Sequence, residues 1–446
     1  MQLLYQNPAG VPPSAGWARG AAKWAIIGVA LSLLVSANLL VTLGVPYSIP
    51  SGSFFFKLHP CTYAILGAFL WVLTRGNPFV VLIECYRRSP AYMAFAGVVM
   101  AMLLYSLVRN GPSGSAFLID TLLTPALLAM VLDQTRDVDR RRLFAVVVAI
   151  MTANAAIGVG EAILQMRVVP YLRGDQPMIE DYFRSTALSG HPLSNSLRTL
   201  VVMLCLPVMK GRYLLLCGVI LFCLGLLAFG SRTGLVLAIV LGGIWLGRLF
   251  RNDLQFNGFR PREHGAALIV LAGGVLVAAV AVVATNLGQR IFESITVDDS
   301  VSARFLVMQA FGLLSSTDLW VGISPQQMDA VLFILKRTTT ITDIENIWLL
   351  FIMQFGIMLT VMFAVSFAAF LWALLRNQPF EVWLAMVAFV VFIFSNNSLA
   401  SKSQDFVLLV GAVMGAGGWA STDGRVRRRR AVLEGTAPVG VGVYDV

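Results

Sequence analysis

Apolar runs of about 20 residues recur along this chain, and each is long enough to cross a hydrocarbon layer about 30 Å thick. They fall at roughly 24–42, 60–74, 91–108, 116–132, 143–163, 193–209, 213–229, 235–248, 265–285, 346–374, 382–396 and 405–420. In hydrocarbon a segment must satisfy its own backbone hydrogen bonds, so such runs predict helices. Of the 446 residues 58% are apolar and only 13% are charged, against about 25% charged in a soluble domain. Together with a mean hydropathy of +0.79 this excludes a water-soluble globular enzyme. The expected fold is all-α, a polytopic membrane protein with about twelve transmembrane helices. Its expected parts are an N-terminal tail over 1–22, a membrane domain over 23–420 and a basic tail over 421–446.

A net charge of +10 would suggest nucleic acid as a partner in a soluble chain, but in a membrane protein the same charges first set topology, and no nucleic-acid partner is expected. With the N-terminus inside, 21 of the 33 Lys and Arg fall in cytoplasmic segments and every inner loop holds at least one. Both termini then come out cytoplasmic. Among the remaining twelve, Arg109, Arg184, Arg198, Arg232, Arg304 and Lys402 sit on or near the outer side, against the charge rule. Snorkelling or local ion pairs would explain any one of them. As a group, outward guanidiniums suggest an anionic, phosphorylated ligand, because the arginine fork holds phosphate bidentately.

Nothing in the first 22 residues resembles a cleavable signal peptide. The five cysteines show no metal-site or redox spacing and read as small packing residues. Mid-span carboxylates are nearly absent, which counts against a proton-coupled transporter. Gly243/Gly247 and Gly411/Gly415 read as small-residue helix contacts.

Two outer loops, 165–191 and 286–345, are too long for plain turns. In the second, Asp298-Asp299-Ser300 offers a cap for a helix near 301–315. Further on, Met328, Val331, Leu332 and Leu335 have helical spacing and end at Lys336-Arg337. That pattern predicts an amphipathic helix lying on the outer leaflet.

Four segments share the outer side. They are Phe183-Arg184-Ser185-Thr186-Ala187-Leu188-Ser189-Gly190-His191-Pro192; Gly230-Ser231-Arg232-Thr233-Gly234; Ser302-Ala303-Arg304-Phe305 with the later Trp320-Val321-Gly322-Ile323; and Glu345-Asn346-Ile347-Trp348 with Gln354-Phe355-Gly356 below it. In this order, over roughly residues 180–360, the chain resembles bacterial O-antigen ligases and the related O-antigen and exopolysaccharide polymerases. The resemblance implies a GT-C-like helical fold with a long, part-helical periplasmic loop in a bacterial inner membrane. It also implies a glycosyltransferase that takes a glycan from undecaprenyl diphosphate on the periplasmic face and needs no metal or other cofactor.

The implied roles follow from the leaving group. A lipid diphosphate calls for preorganised cations, which Arg184, Arg232 and Arg304 would supply, and the acceptor hydroxyl needs a base. Glu345 stands where ligases carry histidine, which shifts the expectation from ligase to polymerase. Glu345 reads either as that base or as an ion-pair partner of Lys336 or Arg337. His191, Asn346 and Trp320 are the candidates for contacts with the acceptor or glycan. His191 alternatively closes the entry of its helix. Expected partners are the lipid-linked glycan, membrane lipid and a chain-length regulator or flippase. A flippase or exporter of lipid-linked sugars is the alternative from another class.

Overall fold

The computed structural model describes residues 15–48, 52–173, 176–178, 182–209, 211–257, 307–338, 344, 346–394 and 398–433. The expected span at 265–285, the expected cap at 298–300, Arg304 and Glu345 lie outside these residues. The described chain is helical apart from one short pairing of Leu172–Arg173 with Gln176–Pro177.

The first ten α-helices are α1 (Ala15–Leu34), α2 (Ala37–Thr42), α3 (Pro60–Leu73), α4 (Pro78–Arg88), α5 (Pro90–Phe117), α6 (Thr124–Asp133), α7 (Asp137–Leu164), α8 (Pro192–Cys205), α9 (Arg212–Ala228) and α10 (Arg232–Asn257). After the undescribed stretch come α11 (Ser316–Val321), α12 (Pro325–Thr338), α13 (Ile347–Leu375), α14 (Phe380–Phe394) and α15 (Asp405–Leu433). Proline opens α3, α4, α5 and α8, where its missing N–H costs nothing. Side-chain caps from His59, Asn77 and Asn346 accept the first free N–H groups of α3, α4 and α13. α1 begins at Ala15, inside the segment expected to be a tail, and breaks at Ser36, which caps α2.

Among the described residues six helices are long and apolar enough to cross a membrane, or seven if α3 and α4, bent by 105°, form one span. Shorter apolar helices cover Leu215–Ala228, Phe380–Phe394 and Asp405–Ala420. The chain is therefore a polytopic helical membrane protein.

Contacts sort the helix ends into two groups. At one end Trp71 donates to the Trp17 carbonyl, Arg88 reaches Gln134, Arg141 lies over Trp419 and Arg248 over Phe380. These are the segments that hold most of the basic residues. At the opposite end Asn38 meets Gly190, Arg198 meets Asp405 and Lys402 meets Tyr47. Successive long helices thus run antiparallel, as spans must.

The centre of the bundle is aromatic. The Phe95 ring lies within 4.8–6.1 Å of those of Phe363, Phe367, Phe370 and Phe406. Gly411 and Gly415 do bring α15 against its neighbours: a Cβ on Gly415 would stand 2.9 Å from the Phe144 Cβ. The other pair corrects the sequence expectation, because Gly243 and Gly247 have nothing within 4 Å among the described residues.

α12 is a second correction. Its stripe of Met328, Val331, Leu332 and Leu335 packs with Ala310, Ile323, Ile344, Leu349 and Met353, so that stripe faces the protein itself. The loop builds a small core of its own against α13. Ile323 N donates to the Met353 carbonyl at 2.6 Å, and Gly356 kinks α13 at φ 75° where Trp320 crosses it. A side chain at Gly356 would overlap the Trp320 carbonyl.

Candidate functional site

A cavity of about 170 Å³ opens at the end opposite the basic one. Three pieces of chain frame it: 35–38 at the break between α1 and α2, 189–198 entering α8, and 401–405 entering α15. The lining is short and polar, with serines at 36, 189, 194, 401 and 403 beside Asn38, His191 and Gln404. At its floor the Arg198 Nε donates to the Asp405 Oδ1 at 2.7 Å, and both side chains are buried. Ser194 Oγ donates to the other carboxylate oxygen at 3.1 Å, and the guanidinium also reaches the Ser32 carbonyl at 3.3 Å. A buried ion pair holds only when such additional bonds complete it. Directly beneath, Phe406 stacks on Phe389 at 5.8 Å and meets Phe95, so the polar cavity ends on an apolar aromatic layer.

One wall is a second polar cluster. Lys402 Nζ donates to the Tyr47 and Lys57 carbonyls at 2.6 and 2.8 Å and lies 4.3 Å from the Tyr47 ring centre. Burial lowers its pKa to about 8. Tyr47 OH, the His59 N–H and Thr62 Oγ1 all donate to Asp120, at 2.8, 3.1 and 2.7 Å. Asp120 occupies a π-helical turn, Leu118–Leu123, that carries its carboxylate into this cluster. Burial, reinforced by Asp120, pushes the Tyr47 hydroxyl pKa well up.

The 183–192 segment is fastened by Glu161 near the end of α7. Its carboxylate accepts from the Val168, Thr186 and Ala187 amides at 2.6, 2.9 and 2.9 Å, and from the Ser185 hydroxyl. Four donors on one carboxylate make the loop a built structure. Ser185 N donates to the Ala228 carbonyl at 3.1 Å, and a Cβ on Gly230 would stand 3.2 Å from the Arg184 side chain. The first two sequence segments therefore meet. The Arg184 guanidinium lies 5.9 Å from the Tyr171 ring, whose edge meets the His191 ring at 5.4 Å. His191 is exposed to the cavity, its Nε2 lies 3.5 Å from the Tyr171 hydroxyl, and its ring makes no capping bond to α8. Burial, then Arg184, then Arg198 lower its pKa to about 4 against the opposing pull of Asp405.

Arg232 opens α10, where Ser231 Oγ accepts from the Gly234 N–H at 3.1 Å. The Ser-Arg-Thr-Gly turn is thus a capped helix start that sets Arg232, half-buried, next to the Arg184 loop. Asn346 caps α13, accepting from Trp348 and Leu349 at 3.0 and 3.1 Å. Trp320 is largely exposed and contributes its carbonyl to the α13 kink. Neither Asn346 nor Trp320 lines the cavity, whereas His191 does. Several outer cations also have structural work. Arg109 donates to the Val321 and Gly322 carbonyls at 2.7 and 2.8 Å, closing the C-terminal end of α11. Arg167 lies over Phe183 and donates to the Arg184 carbonyl.

Sequence reasoning missed Asp405 and Ser194 and saw Arg198 and Lys402 only as stray outer charges. The signal was a polar quartet, Lys402-Ser403-Gln404-Asp405, at the head of an apolar run. Among the described residues no group of three or more His, Cys, Asp or Glu side chains gathers as a metal site. Comparison with protein-family models, curated proteins and solved structures finds no match to this chain.

Proposed function

We propose that this protein is a membrane glycosyltransferase, a polymerase of O-antigen or exopolysaccharide type. It transfers a glycan from undecaprenyl diphosphate to a lipid-linked repeat unit. The basic end faces the cytoplasm of a bacterial inner membrane with both termini, and the cavity end faces the periplasm. The bundle, with its undescribed part, amounts to about twelve spans of GT-C-like arrangement. Arg184 and Arg232, with Arg304, hold the leaving diphosphate, so the reaction runs without a metal. The base is one of two residues, Glu345 or His191.

The observation that carries this reading is the meeting of the 183–192 and 230–234 segments near a cavity with a largely polar lining. A flippase needs a polar path through the midplane. The aromatic layer under Asp405 speaks against one there, among the described residues. A ligase acting on lipid A-core would use the same chemistry with another acceptor.

The test is transfer in proteoliposomes carrying undecaprenyl-diphosphate-linked repeat units, wild type against Arg232→Ala. A glycan ladder with released lipid diphosphate, lost in the variant, supports the polymerase. A single transfer to lipid A-core without a ladder favours the ligase. Lipid-linked units that cross the bilayer unchanged overturn the enzyme reading.

A further inference from the structure

We infer that the cavity over Arg198 and Asp405 seats one sugar ring of the acceptor, and that His191 on its wall takes the proton from the attacking hydroxyl. This rests on the glycosyl-transfer reading.

The lining decides the ligand class. The two strongest charges, Arg198 and Asp405, neutralise each other at 2.7 Å, and Lys402 is turned into two carbonyls. Among the described residues both cations of the lining are thus engaged by protein groups before a ligand enters. What lines the space is short hydroxyls and amides, Ser36, Asn38, Ser194, Ser403 and Gln404; Asn38 and Ser194 donate into the protein and keep oxygens that accept. Such a surface suits a neutral, hydroxyl-rich group, and about 170 Å³ is the scale of a single monosaccharide. The diphosphate therefore belongs outside, on the Arg184 and Arg232 side.

His191 stands between these two places. Its ring lines the cavity, and Tyr171 connects it edge-on to the Arg184 guanidinium. Among the described residues no other histidine lines the cavity, and Asp405 is already bonded to Arg198 and Ser194. The charged and titratable groups around His191 are Arg184 and Tyr171 from the loop, Arg198 on its own helix, and Lys402 and Asp405 from the entry of α15. Their balance with burial keeps the imidazole neutral at pH 7, the state that can accept a proton. In the step, the acceptor O–H breaks and its proton goes to the imidazole while its oxygen bonds the anomeric carbon. The anomeric carbon–oxygen bond to diphosphate breaks, and its electron pair leaves on the lipid diphosphate. The imidazolium, facing Asp405, returns its proton to water through the open mouth.

The test uses the full chain in nanodiscs. Binding of methyl glycosides (a hexose, an N-acetylhexosamine and a uronic acid) is followed by saturation-transfer NMR. Wild type, Ser194→Leu and His191→Gln are compared, with thermal unfolding as the check on folding. At least one glycoside should bind wild type and bind folded Ser194→Leu at least tenfold more weakly. With lipid-linked repeat units, His191→Gln should lose about 10²–10⁴-fold in kcat, more than Glu345→Gln loses. Its KM for the acceptor should barely move, and the acid limb of the wild-type pH profile should vanish from its residual rate. If no glycoside binds wild type, or folded Ser194→Leu binds as well, the sugar subsite is overturned. Transfer by His191→Gln at more than a tenth of the wild-type rate, or a larger loss in Glu345→Gln, overturns the base. Should wild type transfer nothing while a glycoside still binds and Ser194→Leu abolishes it, the subsite stands and both the base and the transferase reading fall.

Discussion

The two ends of the bundle handle charge in opposite ways. At the basic end the pairs are local, and their arginines reach solvent. Arg88 reaches Glu84 one turn away, Arg136 and Arg142 share Asp139, and Arg140 leans on Asp137. At the cavity end the pairs are buried and join distant parts of the chain. Arg198 and Asp405 are 207 residues apart, and Lys402 closes onto the Tyr47 carbonyl across 355. Local pairs with solvent-reaching arginines contribute little to stability. Buried distant pairs are expensive to assemble and survive where the surrounding structure completes them. The difference marks the cavity end as the part of the molecule that was built around a site.

Removing Asp405 should expose this contrast most. In Asp405→Ala the Arg198 guanidinium stays buried without its carboxylate, and the expected loss is about 3–5 kcal/mol. The double variant Arg198→Met/Asp405→Leu should recover most of it, because the uncompensated charge is gone. Thermal unfolding in nanodiscs measures both. A loss below about 1 kcal/mol for Asp405→Ala would make this pair no different from those at the basic end.

Acid should weaken the cavity end selectively. His59 is buried; its Nε2–H donates to the Val35 carbonyl at 2.8 Å and its Nδ1 accepts from the Cys61 N–H, an arrangement only the neutral ring can hold. Burial lowers its pKa to about 4. Above pH 6.5 both native and unfolded forms are neutral. Between 6.5 and 4 the unfolded chain binds a proton that the native one refuses, so stability falls as pH falls, and below 4 it falls no further on this account. The full effect is roughly 3 kcal/mol. His191 adds in the same direction, with less weight because its ring is partly open. Hydrogen exchange between pH 7 and 4.5 should show protection lost first near 35–62. Equal loss at Trp17, Trp71 and Trp419 would break the comparison.

How much of this could be read from the chain follows the same division. Apolar runs disclosed the helices, because hydrocarbon length is a strict requirement. The basic segments do gather at one end of the bundle, and the order of the 183–192 and 230–234 segments anticipated that they meet. The cavity floor was not legible, since no local pattern links Arg198 to a residue two hundred positions later. Nor could helical spacing tell which face of α12 meets protein, because lipid and protein interiors are equally apolar. Arg109 shows the same limit: outward guanidiniums suggested phosphate, and this one holds the carbonyl end of a short helix.

Lys402→Met tests whether the cavity wall needs its cation. The methionine keeps the volume but leaves the Tyr47 and Lys57 carbonyls, now accepting at 2.6 and 2.8 Å, without that donor. The expected cost is about 1–3 kcal/mol. A neutral result would mean that water replaces the ammonium and the wall is wetter than its packing implies.

The smallest effect belongs to the basic end. Arg142 stands 3.6 Å from Asp139 with two-thirds of its side chain exposed. The Asp139 carboxylate is buried and would alarm any estimate that counted ion pairs alone, yet Arg136 already donates to it at 2.9 Å. Arg142→Gln therefore leaves no buried charge unpaired, and its cost should stay within about 0–1 kcal/mol. Salt separates the two ends further. Screening reaches exposed charges and spares buried ones, so 1 M salt should erase what Arg142→Gln costs and leave the cost of Asp405→Ala standing. If salt instead rescued Asp405→Ala, the Arg198 side chain would have to reach solvent, and the cavity floor would be open where the bundle places its aromatic layer.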